Sequence, residues 1–135
     1  MGSALWIIAI GLVLVAGYVR LAPSDPAKWH VMRDVAGNRD MKGGVLRLLP
    51  NGAGDMARLD EIIRATPHTS VLAGSVNEGM VTYVTRSAIV GFPDYTTIRR
   101  HGAALEIYAR LRFGSSDMGV NGRRVGQWLA ALGGQ

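Results

Sequence analysis

Ala104-Leu105-Glu106-Ile107-Tyr108-Ala109-Arg110-Leu111-Arg112-Phe113 alternates apolar and polar side chains almost from end to end. A strand sends successive side chains to opposite faces. Leu105, Ile107, Ala109, Leu111 and Phe113 therefore share one face, and Glu106, Tyr108, Arg110 and Arg112 share the other. One dry face and one wet face is the pattern of an antiparallel sheet covered on one side. The apolar side needs helices to bury it, and that decides the fold class: a small antiparallel sheet flanked by two helices, α+β.

The helices are legible on either side of this strand. Asp55 stands where an N-cap belongs, Met56, Leu59, Ile62 and Ile63 recur at helical spacing, and Thr66-Pro67 ends the element. Near the C-terminus Asn121 is expected to cap a last helix whose Val125, Trp128, Leu129 and Leu132 share a face, with Gly133-Gly134 closing it. The intervening chain reads as strands: Ser70 to Ala73, a long one over Met80 to Val90, a Gly91-Phe92-Pro93 turn, then Thr96 to Arg100, with His101-Gly102 as the tight connection into Ala104. Val31 to Gly54 is rich in Gly, Asn and charge and reads as an irregular stretch around one short strand, Val45 to Leu49.

The N-terminus is of another kind. Met1 to Val19 carries no charged side chain, and the run ends at Arg20. A spanning helix needs about twenty mostly apolar residues, since each rises about 1.5 Å and the hydrocarbon core is about 30 Å thick. The run just meets that length. Trp6, Ile7, Ile8, Leu12, Leu14 and Tyr18 are its expected lipid contacts, with Trp6 and Tyr18 near the two interfaces. A cleaved secretory signal is the rival; it would begin with a basic region and end at a small-x-small site, whereas here no Lys or Arg precedes Arg20 and Leu21-Ala22-Pro23 is a poor site, since Pro follows the only small residue. The expected organisation is a transmembrane anchor over 1–22, a juxtamembrane connector and irregular segment over 23–54, and an α+β domain over 55–135. Within the connector, Ser24-Asp25-Pro26 suits a short helical turn and Trp29 would rest at the interface or against the domain.

Of the chain's 135 residues, 15 are Lys or Arg and 10 Asp or Glu, and the excess is spread along the chain. Arg99-Arg100 and Arg123-Arg124 are pairs, not runs, so a nucleic-acid partner is not expected. Cysteine is absent, which excludes disulfides, a thiol nucleophile and Cys-ligated metal. His30, His68 and His101 are isolated, so no metal is expected, and no motif calls for a cofactor. Asp60-Glu61 reads as a solvated pair on the helix's polar side.

Val84-Thr85-Arg86-Ser87, Gly91-Phe92-Pro93-Asp94 and the run Arg110-Leu111-Arg112-Phe113-Gly114-Ser115-Ser116-Asp117-Met118-Gly119-Val120-Asn121-Gly122-Arg123-Arg124 resemble domain-of-unknown-function family 1499. The connector Leu21-Ala22-Pro23-Ser24-Asp25-Pro26 with Trp29-His30 looks like that of its membrane-anchored alphaproteobacterial members. The resemblance runs from about Leu21 to Leu132. It implies a bacterial or plastid origin and an exported or membrane-attached domain, and it implies no activity. Tyr95 follows Asp94 where many relatives have a second acidic residue, so a role for an acidic pair does not carry over.

Candidate contact residues follow from the polar pattern. Asp117 is expected to pair with Arg123 or Arg124 and fix the turn into the last helix; free N–H groups at that helix start, with both arginines, suit an anion such as a lipid phosphate. Arg110 and Arg112, joined by Arg86 from a neighbouring strand, suit a partner protein or headgroups. With Asn121 these make the candidate anion or partner contacts. The functional expectation is a non-catalytic, membrane-anchored accessory or structural subunit of a larger inner-membrane complex. The alternative is an anchored domain binding a lipid or apolar ligand between sheet and helix, and an enzyme ranks last. Expected partners are membrane lipid and a membrane protein complex. For the compartment, relatives favour the periplasmic side, whereas Arg20 and Lys28 favour the cytoplasm.

Overall fold

The computed structural model describes residues 2–134; the outer ends of the first and last expected segments, residues 1 and 135, lie outside the described residues. The chain runs α1 (Gly2–Leu21), α2 (Pro26–Trp29), β1 (Arg39–Met41), β2 (Gly44–Leu49), a 3-10 turn (Ala53–Asp55), α3 (Met56–Arg64), β3 (Thr69–Ser75), β4 (Met80–Arg86), β5 (Pro93–His101), β6 (Ala104–Leu111) and α4 (Val120–Gly133). The strands form one antiparallel sheet in the order β1-β2-β6-β5-β4-β3. The α+β class is as expected. The sheet is larger than the sequence suggested, and β1 and β2 belong to it, so a boundary at 54/55 does not divide the head.

The core lies on the sheet face that carries Val45, Leu105, Ile107, Ala109, Ile98, Val81 and Tyr83. Met56, Leu59 and Ile63 of α3 and Val125, Trp128 and Leu132 of α4 bury their shared faces there. At roughly 25 cal/mol per Å² of apolar surface removed from water, such a cluster is the main drive to fold. Trp128 Nε1 donates to Thr66 Oγ1 at 2.8 Å and Arg58 to the Ala131 carbonyl at 3.1 Å, tying α4 to α3. Asp60 is buried rather than solvated. It accepts from the Tyr83 hydroxyl at 2.5 Å and pairs with Arg64 at 3.1 Å.

Three expected boundaries move. β4 stops at Arg86 instead of Val90, because the Ser87 hydroxyl accepts from the Gly91 and Phe92 N–H groups at 3.0 and 2.9 Å and folds the chain back into a loop. β5 gains Asp94 and Tyr95, which the sequence placed just after a turn. Asn121 does not cap α4; Gly119, with φ of 77°, holds that position and Asn121 lies buried in the first turn.

The larger correction concerns the wet face. Glu106 and Arg110 are 3 % and 6 % exposed. Glu106 is held by Arg99 at 2.6 Å and His101 at 3.0 Å. The remainder of that face is covered by the connector: Asp25 caps α2 through the Ala27 N–H, with Pro26 at its start, and Trp29 and His30 are laid on the sheet. A segment about eighty residues upstream thus fills the side expected to face water.

α1 is long and apolar enough to cross a membrane, a property it shares with signal sequences. Its side chains, including Trp6, Ile7, Ile8, Leu12, Leu14 and Tyr18, are exposed along its length until Val19.

Candidate functional site

The polar residues singled out by the sequence fall in two places. The first is a seam between the connector and the second sheet face. Arg110 rises from β6 beside Tyr95 of β5 and donates to Thr97 Oγ1 at 2.8 Å, to the Tyr108 carbonyl at 3.1 Å and to the Trp29 carbonyl at 2.5 Å. Its guanidinium lies 4.3 Å from the Tyr108 ring centre and 5.9 Å from those of Trp29 and Tyr95. A hydroxyl, two carbonyls and three rings replace water around this cation. Arginine suits the place because its planar fork bonds and stacks at once. Burial lowers its pKa to about 10, which leaves it charged at neutral pH. Thr97 in turn bonds Thr82 at 2.8 Å, and Thr82 bonds His30 Nδ1 at 2.8 Å, so the line of polar groups runs back into the connector.

Arg112 and Arg86 continue the seam towards α1. Arg112 donates to the Pro23 carbonyl at 2.8 Å and to the Tyr95 hydroxyl at 3.0 Å, which also bonds Ser24 Oγ at 2.7 Å. Arg86 donates to the carbonyls of Val19 at 3.3 Å and Gly91 at 3.0 Å. The Tyr18 and Phe113 rings meet edge-on at 6.3 Å. The three arginines expected to face a partner thus bond the chain's own anchor and connector.

The second place is the start of α4. Asp117 does not pair with Arg123 or Arg124. Its carboxylate accepts from the N–H groups of Gly119 at 2.9 Å and Asn121 at 3.1 Å, and from Asn121 Nδ2 at 3.0 Å. The position expected for an external anion is held by this internal one, which satisfies the free donors of the helix start. Arg123 turns to the Met118 carbonyl at 3.1 Å. Arg124 bonds Asn121 Oδ1 at 3.1 Å and pairs with Asp94 at 3.4 Å. Asp94 also accepts from Asn121 Nδ2 at 3.3 Å. Burial raises the Asp94 pKa above the usual carboxylate value against the opposing pull of Arg124. Beside this cluster a cleft of about 300 Å³ opens, with Asp94, Asp117 and Arg124 on its polar side and Phe92, Leu111, Phe113 and Val120 on its apolar side.

The cluster and the seam are built from the segments around Gly91-Phe92-Pro93-Asp94 and Arg110 to Arg124. A family model described as protein of unknown function (DUF1499) matches residues 20–132. The chain belongs to this family. The DUF1499 match takes in the connector as well as the head, in keeping with the connector's place on the sheet, and leaves α1 outside it up to Val19. No curated protein matches the chain.

Sequence reasoning missed several residues that hold the DUF1499 head together. Asp94 is the true partner of Arg124. Tyr95 links Arg112, Ser24 and Trp29. Ser87 shapes the β4–β5 loop. Ser87, Asp94 and Tyr95 lay in or beside the stretches that resemble the family, but nothing local told their partners; Trp29 stood out as the one large aromatic of the connector. Among the described residues, no group of three or more His, Asp or Glu is placed to hold a metal ion.

Proposed function

We propose that this protein is a non-catalytic, single-pass accessory subunit of a larger inner-membrane complex, with α1 retained as the span. The observation that carries this is the bonding of the head to its own anchor: Arg86 to the Val19 carbonyl and Arg112 to the Pro23 carbonyl, with Val19 and Ala22 buried at the junction. A flexible linker would let the head take many heights and orientations above the membrane. A head fixed to its helix instead presents one surface at one height, as a subunit docked between membrane partners must. The buried carboxylates also have structural occupations: Asp60 with Tyr83 and Arg64, Glu106 with Arg99 and His101, and Asp94 with Arg124 and Asn121. The head would stand on the periplasmic side, as the resemblance to exported relatives implies.

Native membranes solubilised in mild detergent and sized by native electrophoresis provide the test. The tagged chain is expected in a stable assembly far above its own 14.4 kDa. A particle holding a single copy and nothing else would overturn the subunit role. Extraction by alkaline carbonate, or a mature chain beginning after Ala22, would overturn the anchor.

A second reading is favoured by the cleft beside Asp94 and Arg124. Its apolar wall and charged floor suit an amphiphile bound there rather than between sheet and helices, where the core is filled. Lipid co-purifying with the parent chain and lost on Phe113→Glu substitution is the expected result; an unchanged lipid content would reject it.

A further inference from the structure

We propose that the β4–β5 loop, residues 87–92, is a second membrane contact that sets Ile89, Val90 and Phe92 into the headgroup–acyl boundary beside α1; this rests on α1 being a retained span. Ile89 is 88 % exposed, Phe92 44 % and Val90 37 %, and no charged side chain stands between Arg86 and Asp94. Three large apolar side chains displayed together on a small head need a cover.

The hydrogen bonds at the loop's base fix its depth. Arg20 Nη1 donates to the Ile89 carbonyl at 3.4 Å, and Arg86 Nη1 bridges the carbonyls of Val19 and Gly91. The loop is therefore level with the last turn of α1. That helix has 20 residues, about 30 Å, which matches the hydrocarbon core with nothing to spare. Val19 and Arg20 must then lie at the boundary, and so must the backbone bonded to them.

The loop is also built for that place. The base of the loop is closed on itself: Ser87 N–H donates to the Phe92 carbonyl at 3.0 Å, Gly91 N–H to the Ser87 carbonyl at 3.1 Å, and the Ser87 hydroxyl takes the Gly91 and Phe92 N–H groups. The N–H groups of Ala88, Ile89 and Val90 make no hydrogen bond to the described residues, so the tip stays at headgroup level, where water still reaches it, and does not enter the hydrocarbon. Gly91 adopts φ of 82° at the turn, a conformation that glycine accepts readily. Arg20, exposed at the base, adds attraction to anionic headgroups. Apolar tip, closed loop base and the neighbouring Arg20 all point to a lipid surface as the occupant.

The chain's lack of cysteine makes the test clean. Ile89→Cys is introduced into the full chain, carries a nitroxide label, and is reconstituted in an equal mixture of phosphatidylcholine and phosphatidylglycerol. Leu12→Cys reports on the span. Ala103→Cys reports on the far hairpin, roughly 26 Å away along β5 at about 3.3 Å per residue. Relaxation by oxygen, which concentrates in lipid, is compared with relaxation by a water-soluble nickel chelate. The oxygen-to-nickel ratio at 89 is expected to be several-fold above that at 103 and to approach that at 12. A water-like ratio at 89 with a lipid-like ratio at 12 overturns the loop contact alone. A water-like ratio at 12 overturns the span and the loop with it. A label at 89 shielded from both reagents as the protein-to-lipid ratio rises means a second copy covers the loop, which also overturns the proposal. Because Ile89 packs against little, the substitution leaves the fold intact.

Discussion

The Trp29 indole lies flat on the Tyr95 ring, their centres 4.2 Å apart and their planes 14° from parallel. Trp29 belongs to the connector and Tyr95 to the middle of the sheet, so this stack closes the side of the sheet that the helices leave open. It also roofs Arg110. Trp29→Ala should lower stability by about 2–3 kcal/mol, combining lost apolar burial with the aromatic pair. Chemical denaturation of the detergent-solubilised chain checks this, and an unchanged midpoint would mean that the connector does not hold the sheet.

Arg110→Lys should be nearly as damaging as Arg110→Met. A lysine keeps the charge but cannot bond Thr97, the Tyr108 carbonyl and the Trp29 carbonyl together while lying over a ring. Each is expected to cost about 1–3 kcal/mol, the scale of buried acceptors left without donors. Full tolerance of lysine in thermal unfolding would show that charge alone suffices.

Asp117→Ala should destabilise by about 1–2 kcal/mol, the usual range for losing a helix-start acceptor. The loss falls on α4, since Asp117 serves Gly119 and Asn121 there. Amide hydrogen exchange is the sensitive readout: the first turn of α4 should lose protection before the sheet does.

Asp94 gives a pH signature with a definite sign. Its folded-state pKa is raised by burial, so the folded protein holds this proton more tightly than the unfolded chain. Its contribution is most favourable below the ordinary carboxylate pKa and falls as pH rises through the raised value. The stability of the parent relative to Asp94→Asn should therefore decline between acid and neutral pH. A relative stability that rises over that interval would mean that Arg124 outweighs burial.

Tyr83 gives the alkaline counterpart. Burial and the Asp60 carboxylate push its pKa far above that of an ordinary phenol. The folded state keeps this proton while the unfolded chain loses it near pH 10, so stability contributed by Tyr83 is full below that pH and lost above it. The ultraviolet titration of the parent minus that of Tyr83→Phe should show no phenolate from Tyr83 until the protein unfolds.

The strand over Ala104–Leu111 and the buried stripes of α3 and α4 were legible because each is a local period that one buried face imposes on neighbouring residues. Glu106 and Arg110 misled for the same reason. Alternation shows that two faces differ but not what lies over the polar one, and here the cover arrives from Trp29 and His30, far upstream. Ile89 and Val90 read as strand because β-branched residues favour strands. One hydroxyl, on Ser87, overrides that preference by taking two backbone donors. Asn121 looked like a cap because capping residues are few in kind; Asp117, four positions earlier, does the capping once Gly119 turns the chain. The tie of α1 to the head through Arg86 joins residues whose separation no local pattern spans.

The strand order sets a schedule for synthesis. β2 is made early, yet its neighbour β6 pairs Gly44 with Arg110 and Leu49 with Leu105, so that partner leaves the ribosome only after β3, β4 and β5. At about 5–20 residues per second, Val45, Leu46, Leu48 and Leu49 wait several seconds with one flank open. Throughout that interval the nascent hairpin is the region most exposed to pairing with a neighbouring chain, and a factor that shields emerging segments would have most to protect there.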